Sequence, residues 1–273
     1  MNDPPRLADL RRIGEGREAE IFAWGDGSIL RLMRDPGGAV WADQQAAAMT
    51  AAWEAGGPVP TPGPRVDVEG RPGLVMERID GPDMLTTLGR QPWRLLSLAR
   101  TLGTTHARLH EVAGPPSLRP LRELLRERIE LAAALPARFR PVALHTLEDL
   151  PDGDRLHHGD YHPGNILLGP RGPVVIDWTN ATRGPPTADF ARTSLTLRLG
   201  ESPPGVSPVI RYGDRIGRGF FLSGYVRAYR RHAAVEESAV EEWMLVHAAA
   251  RFAEGIEGEY PALTRFLETR AAR

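Results

Sequence analysis

Apolar and polar positions follow one rhythm before Trp93 and another after it. In the first third the apolar residues come in short runs. "EIFAW" (Glu20 to Trp24) and "SILRLM" (Ser28 to Met33) flank Gly25-Asp26-Gly27, which predicts two strands joined by a tight turn. "VWADQQAAAMTAAWEAG" is rich in alanine and stops at Gly56-Gly57-Pro58, which predicts a helix with a defined end. "GPVPTPGP" then reads as a rigid connector. "GLVMERI" (Gly73 to Ile79) reads as a strand closed by Gly81-Pro82. From Trp93 onward, "WRLLSLARTLGTTHARLHEV" and "LRELLRERIELAAAL" carry apolar residues at helical spacing, separated by Pro115-Pro116. "NILLGPRGPVVID" predicts two short strands about a Pro/Gly turn, and the tail from about Gly219 is helical again. The expected class is α+β. Residues 1–79 form a small β-rich lobe, residues 80–273 a larger, mainly helical lobe, and Glu77 to Gly81 a hinge between them.

Composition narrows this picture. Of 273 residues, 41% are apolar and 25% charged, enough for a real core and against global disorder. A net charge of -1 argues against a protein that coats nucleic acid or an anionic membrane. The absence of cysteine removes disulfides and thiolate metal sites. No signal-type start and no apolar run near the ~18 residues of a membrane span are found. The expectation is a soluble, cytoplasmic protein. No lysine occurs, so all 34 basic side chains are arginine.

The densest chemistry is "HHGDYHPGNILL", His157 to Leu168. One reading is metal ligation: His158 and Asp160 joined by His232 or His247 make two histidines and a carboxylate. Such sites usually sit in barrel scaffolds, and the surroundings here are mostly helical. The other reading is phosphoryl transfer. Asp160 and Asn165 stand four residues apart, with a histidine two places before the aspartate, as in a kinase catalytic loop. The aspartate accepts a proton from an attacking hydroxyl, and the asparagine turns its amide oxygen to a magnesium ion. A hard anionic ligand is then needed at the end of the next hairpin, where "VVIDW" places Asp177. His157 and His162 are expected to pack and to hydrogen-bond locally.

Upstream parts fit the second reading. "GEGREAEI" offers Gly14 and Gly16 for close backbone approach to phosphate, with Ala19 in place of a third glycine and Ile21 on the adenine face. Strict alternation in "SILRLM" puts Ile29, Arg31 and Met33 on one face, so Arg31 faces the nucleotide with Ile29. Arginine there replaces the usual lysine, and Gln44 or Gln45 stands where a glutamate partner is expected. Met76, Glu77 and Ile79 belong to the strand entering the hinge, whose backbone is expected to meet adenine.

Together "GEGREAEIF", "ILRLM", "VPTP", "LVMERIDG", "HHGDYHPGNILL", "VVIDW" and "PPTADFAR" resemble the aminoglycoside phosphotransferase family, within the choline-kinase-like small-molecule kinases. The resemblance runs from about Leu10 to Arg192. It implies a bilobal, protein-kinase-like fold, ATP or GTP as donor, and Mg2+. It implies Asp160 as catalytic base, Asn165 and Asp177 as metal ligands, and His158 and Asp189 as supports of the catalytic loop. A plain helix N-cap role for Asp189 is compatible with that. The acceptor is expected to be a small molecule with a hydroxyl. Glu254, Glu257 and Glu259 suggest an acidic rim suited to a cationic acceptor, which favours an aminoglycoside or other basic antibiotic and a role in resistance. Choline or a sugar is the metabolic alternative, and the arginine-rich helix "LRELLRERIE" suits an anionic acceptor instead. A nucleotide-binding regulator with little catalysis is the remaining alternative. The sequence sets no oligomeric state.

Overall fold

A computed structural model of the chain describes residues 6–16, 18–199 and 208–271. Five antiparallel strands form the small lobe: β1 (Arg12–Glu15), β2 (Ala19–Trp24), β3 (Ser28–Met33), β4 (Pro62–Val68) and β5 (Arg71–Glu77), in the spatial order β1-β2-β3-β5-β4. Helix α1 (Ala39–Glu54) joins β3 to β4. Gly25 and Gly27 turn the β2-β3 hairpin with φ of 57° and 77°, values that residues with a Cβ reach only at a cost. The alternation expected in β3 is present. Leu30 and Leu32 join Phe22 and Val75 in a cluster on one face, while Ile29 packs on the main core from the other.

Two strands of this sheet were not expected, and both are at its edges. All four residues of β1 are exposed, so no apolar rhythm marks it. The connector "GPVPTPGP" ends as the start of β4, which contains Pro62 and Pro64. A proline lacks the N–H that a ladder needs, and an edge strand tolerates that loss on its outer side.

The large lobe holds α2 (Met84–Arg90), α3 (Leu95–Leu109), α4 (Leu121–Leu131), α5 (Phe139–Asp149), β6 (Arg155–His157), β7 (Ile166–Gly169), β8 (Gly172–Val175), β9 (Thr182–Gly184), α6 (Pro186–Leu199), α7 (Pro208–Tyr229), α8 (Glu237–Arg251) and α9 (Tyr260–Ala271). β6 pairs with β9 and β7 with β8, each antiparallel. Helix α3 crosses α7 so closely that a Cβ on Gly103 would lie 2.4 Å from the Tyr225 carbonyl oxygen. Helices α2 and α5 carried no earlier prediction. Asp83 caps α2 through a bond from the Thr86 N–H at 2.7 Å, a signal present in the sequence.

One buried cluster spans both lobes, from Met49, Leu74 and Met76 to Met84, Leu98 and Leu102. The hinge is laid against the β7-β8 hairpin, where the Leu168 N–H donates to the Pro82 carbonyl at 2.9 Å. Glu77 accepts from the Thr61 amide and hydroxyl and pairs with Arg171 of that hairpin. Among the described residues no helix is long and apolar enough to cross a membrane.

Candidate active site

The loop after β6 is fixed from beneath. Gly159 has φ of 76°, and a Cβ there would lie 2.0 Å from the Asn180 carbonyl oxygen, so no other residue fits. Asp189, in the first turn of α6, is fully buried and does not cap its own helix. Its carboxylate accepts the N–H of His158 at 2.8 Å and of Gly159 at 3.2 Å. It also accepts Nε2–H of His106 at 3.2 Å and of His110 at 3.4 Å. The other ring nitrogens accept from tyrosines: His106 Nδ1 from Tyr225 at 2.8 Å, His110 Nδ1 from Tyr229 at 2.6 Å. Those roles follow from the carboxylate being acceptor-only. Burial alone would raise the Asp189 carboxyl, but the histidine bonds hold it well below the usual range. His106, His110, Tyr225 and Tyr229 were not singled out beforehand. The i, i+4 histidines on the buried face of α3 were the available signal.

Burial also keeps histidines neutral. His110 is lowered to about 4 by burial and by His106, His157 to about 4 and His247 to about 3 chiefly by burial. Their folded values lie below the unfolded value of 6.5, so the unfolded chain binds more protons as pH falls from 6.5 towards 4. Each then costs on the order of 1 kcal/mol at one pH unit below 6.5. The melting temperature is expected to fall steadily from neutral pH to about pH 5.5, a loss of roughly 3–4 kcal/mol. A flat profile across that range would contradict these assignments.

The two-histidine iron-type site does not form. His158 Nε2 donates to the Ile176 carbonyl at 2.9 Å, and its Nδ1 accepts the Asp160 N–H at 3.3 Å. His247 Nε2 donates to the Ala188 carbonyl at 2.9 Å, and His232 is exposed beyond α7. His158 is thus a backbone brace between the loop and the residue before Asp177.

Asp160 faces a cleft of about 1410 Å³, lined also by Gly16, Arg31, His162 and Asp177. Burial pushes its carboxyl up, but His162 at 3.5 Å and the Arg192 charge at 3.8 Å outweigh this and keep it ionised. Asn165 donates its side-chain amide to the Asp160 carbonyl at 2.9 Å, which leaves its amide oxygen for another partner. Its own carbonyl accepts the Ile176 N–H at 3.0 Å, which brings Asp177 alongside. Asp177 has φ of 63°, a left-handed conformation that is strained for an aspartate and recurs at functional sites.

Arg31 takes its carboxylate from the other lobe. Its Nη1 donates to Asp177 Oδ1 at 2.7 Å and its Nη2 to Thr179 Oγ1 at 2.7 Å, while Thr179 donates to Asp177 Oδ1 at 2.6 Å. Burial would raise the Asp177 carboxyl, and Arg31 with Thr179 reverses that. Gln45 is buried on α1. Thr179 carried no earlier prediction.

The other residues expected on the nucleotide side do not line the cleft. Gly14 lies opposite Ile21, Ile21 opposite Arg31, and Ile29 opposite Met76. Met76 is buried, Glu77 is bound to Thr61 and Arg171, and Ile79 is half-buried in the hinge.

The three expected acceptor glutamates do not form an acidic rim. Glu254 lines the cleft, but it accepts from Arg192 at 2.9 Å, Arg251 at 3.0 Å and Arg128 at 3.4 Å. Burial would raise its carboxyl, and those three guanidinium groups lower it. Glu259 is buried and pairs with Arg251 at 2.8 Å, and Glu257 is exposed outside the cleft lining.

A strand-rich lobe with one helix, a hinge, and a helical lobe carrying a hairpin define a protein-kinase-like fold. The sequence model of the "Phosphotransferase enzyme family" matches residues 9–243, and the chain belongs to that family. Solved structures agree on the fold. An amicoumacin kinase in complex with AMP-PNP, Ca2+ and Ami has a TM-score of 0.65 at 13% identity, covering 97% of this chain and 88% of that one. An aminoglycoside-3'-phosphotransferase of type VIII gives 0.63 at 20% identity, covering 87% and 92%. The GDP and kanamycin complex of APH(2")-IIia gives 0.60 at 15% identity, covering 99% and 95%. No curated protein matches the sequence at a significant level.

Proposed function

We propose that this phosphotransferase moves the γ-phosphoryl group of ATP or GTP to a hydroxyl of a small molecule. Residues 1–79 serve as the nucleotide lobe and residues 80–273 as the catalytic and acceptor lobe. The observation that carries this is the convergence of Asp160, Asp177 and Arg31 on one cleft from three separate segments. Its volume of about 1410 Å³ exceeds the roughly 300–1,000 Å³ of a typical ligand pocket, leaving room for a second molecule beside a nucleotide. Similar folds solved with both a nucleotide and a drug, such as GDP with kanamycin, support a small-molecule acceptor.

The residues present suit a magnesium ion. The bonds to Asp177 all fall on Oδ1, which leaves Oδ2, and the Asn165 amide bonds to the Asp160 carbonyl through its nitrogen, which leaves its oxygen. Two hard oxygen donors with one charge match a cation that keeps several positions for phosphate and water. Bound there, it would neutralise charge on the phosphates. Gly16 lets the backbone approach the triphosphate, and Arg31 offers it a fork of N–H groups. Asp160, held ionised, orients the acceptor hydroxyl and takes its proton late in a loose transition state.

Asp160→Asn tests this. Turnover is expected to fall by about 10²–10⁴, the range for loss of a general base. The melting shift produced by nucleotide with magnesium should persist, since Asp160 holds neither. Full turnover in this variant would overturn the assignment.

A further inference from the structure

Past Asp160 the cleft continues into the large lobe, and its lining there is of two kinds. Leu85 and Leu88 of α2, Leu95 of α3, Leu197 of α6 and Phe221 of α7 give an apolar surface. Arg128 of α4, Arg192 of α6 and Arg251 of α8 give a cationic one. Glu18 and Asp177 belong to the donor end. Apart from the base, Glu254 is then the one carboxylate among the described residues lining the acceptor end.

Glu254 is already taken. Its Oε1 accepts from Arg192 and Arg128, and its Oε2 from Arg251. Counting Glu259 on the far edge of Arg251 and Asp160 at 3.8 Å from Arg192, three guanidinium groups face three carboxylates. A carboxylate answered by three positive charges has little attraction left for an ammonium group, and the N–H groups that these arginines have to spare suit an anion. Arg128 and Arg251 also remain reachable, with side chains 22% and 11% exposed. Arg128 gives one N–H to Glu254 and one to Asn180 Oδ1, out of the five a guanidinium carries.

We propose, resting on the phosphoryl-transfer reading, that the acceptor is an amphipathic hydroxy acid whose anionic group sits on Arg128 and Arg251 and whose apolar body lies against the leucine-lined wall. The acceptor hydroxyl oxygen bonds to the γ-phosphorus as the bond from that phosphorus to the β,γ-bridging oxygen breaks. The hydroxyl proton passes to Asp160, and nucleoside diphosphate leaves.

The test compares probes of one shape and different charge: hydroxyphenylpropionate, its methyl ester and tyramine, with kanamycin as a polycation. Binding is read by melting shift in the presence of magnesium and nucleotide, and transfer by nucleotide consumption. The acid is expected to half-saturate at about tenfold lower concentration than the ester or tyramine, the scale of one charge-assisted contact. Arg128→Gln should abolish the difference between acid and ester. Glu254→Gln, which keeps the shape but removes the competing carboxylate, should widen it. In a site built for cations Glu254→Gln would instead weaken tyramine and kanamycin. Tighter binding of tyramine or kanamycin than of the acid, or an acid and ester that behave alike, overturns this inference and leaves phosphoryl transfer standing. Absence of any magnesium-dependent nucleotide turnover overturns both.

Discussion

Asp189→Ala is expected to lower the melting temperature by roughly 5–20 °C, the largest stability loss from any single substitution considered. The carboxylate accepts four hydrogen bonds in a site closed to water. Removing it strands the backbone N–H groups of His158 and Gly159, and an unsatisfied buried donor costs about 1–3 kcal/mol. The two histidines lose their partner as well, although a change of tautomer with Tyr225 and Tyr229 offsets part of that. A total of about 2–6 kcal/mol is a large share of the 5–15 kcal/mol that holds a typical domain together. Because His158 and Gly159 precede Asp160 directly, activity should fall at temperatures where the variant is still folded. Thermal melting monitored by circular dichroism checks the first effect, and turnover well below the midpoint checks the second. A midpoint within a degree or two of the parent would show that Asp189 does not brace the loop.

Asp177→Asn is expected to reduce turnover by about 10³-fold or more, through loss of the cation that offsets phosphate charge, a contribution of several kcal/mol. Asparagine is the informative replacement. It tolerates the left-handed backbone observed at this position, so the substitution removes charge without adding strain. It also leaves the Arg31 guanidinium facing a neutral amide, which should lower stability only slightly because this pair is partly solvated. Divalent-cation titration of nucleotide turnover is the decisive measurement, with the half-saturating magnesium concentration rising steeply. Retention of more than a tenth of parent activity at unchanged magnesium demand would remove Asp177 from the metal site.

Arg31 connects these points to the donor. In the structure it occupies the same oxygen of Asp177 that Thr179 does. On the proposed reading, a triphosphate entering beside Gly16 would offer this arginine a second anionic partner, and Asp177 a cation in exchange.

What was legible in the sequence shares a physical cause. Asp160 and Asn165 sit on one short loop, and Asp177 follows the next hairpin, so covalent spacing alone brings them together. The β2-β3 hairpin was legible because its glycines and its alternation are local. The edge strands β1 and β4 were not, since one is wholly exposed and the other contains prolines, and neither leaves a hydrophobic rhythm. The Asp189 network was only half legible. The aspartate was marked, but His106 and His110 lie 83 and 79 residues from it, and helix packing alone decides that they meet.

Charge was the property that the chain order could least convey. Glu254, Glu257 and Glu259 form an acidic run in sequence, yet Arg128 lies 126 residues away from Glu254 and pairs with it in space. Likewise Arg31 finds its carboxylate 146 residues away, on the opposite lobe. The sequence by itself determined the fold class and the loop and hairpin that bring Asp160, Asn165 and Asp177 together, because these depend on short-range spacing and periodicity. Only the tertiary structure decided which ions neutralise one another, because electrostatic energy depends on distance through space and on burial, neither of which is written in residue order.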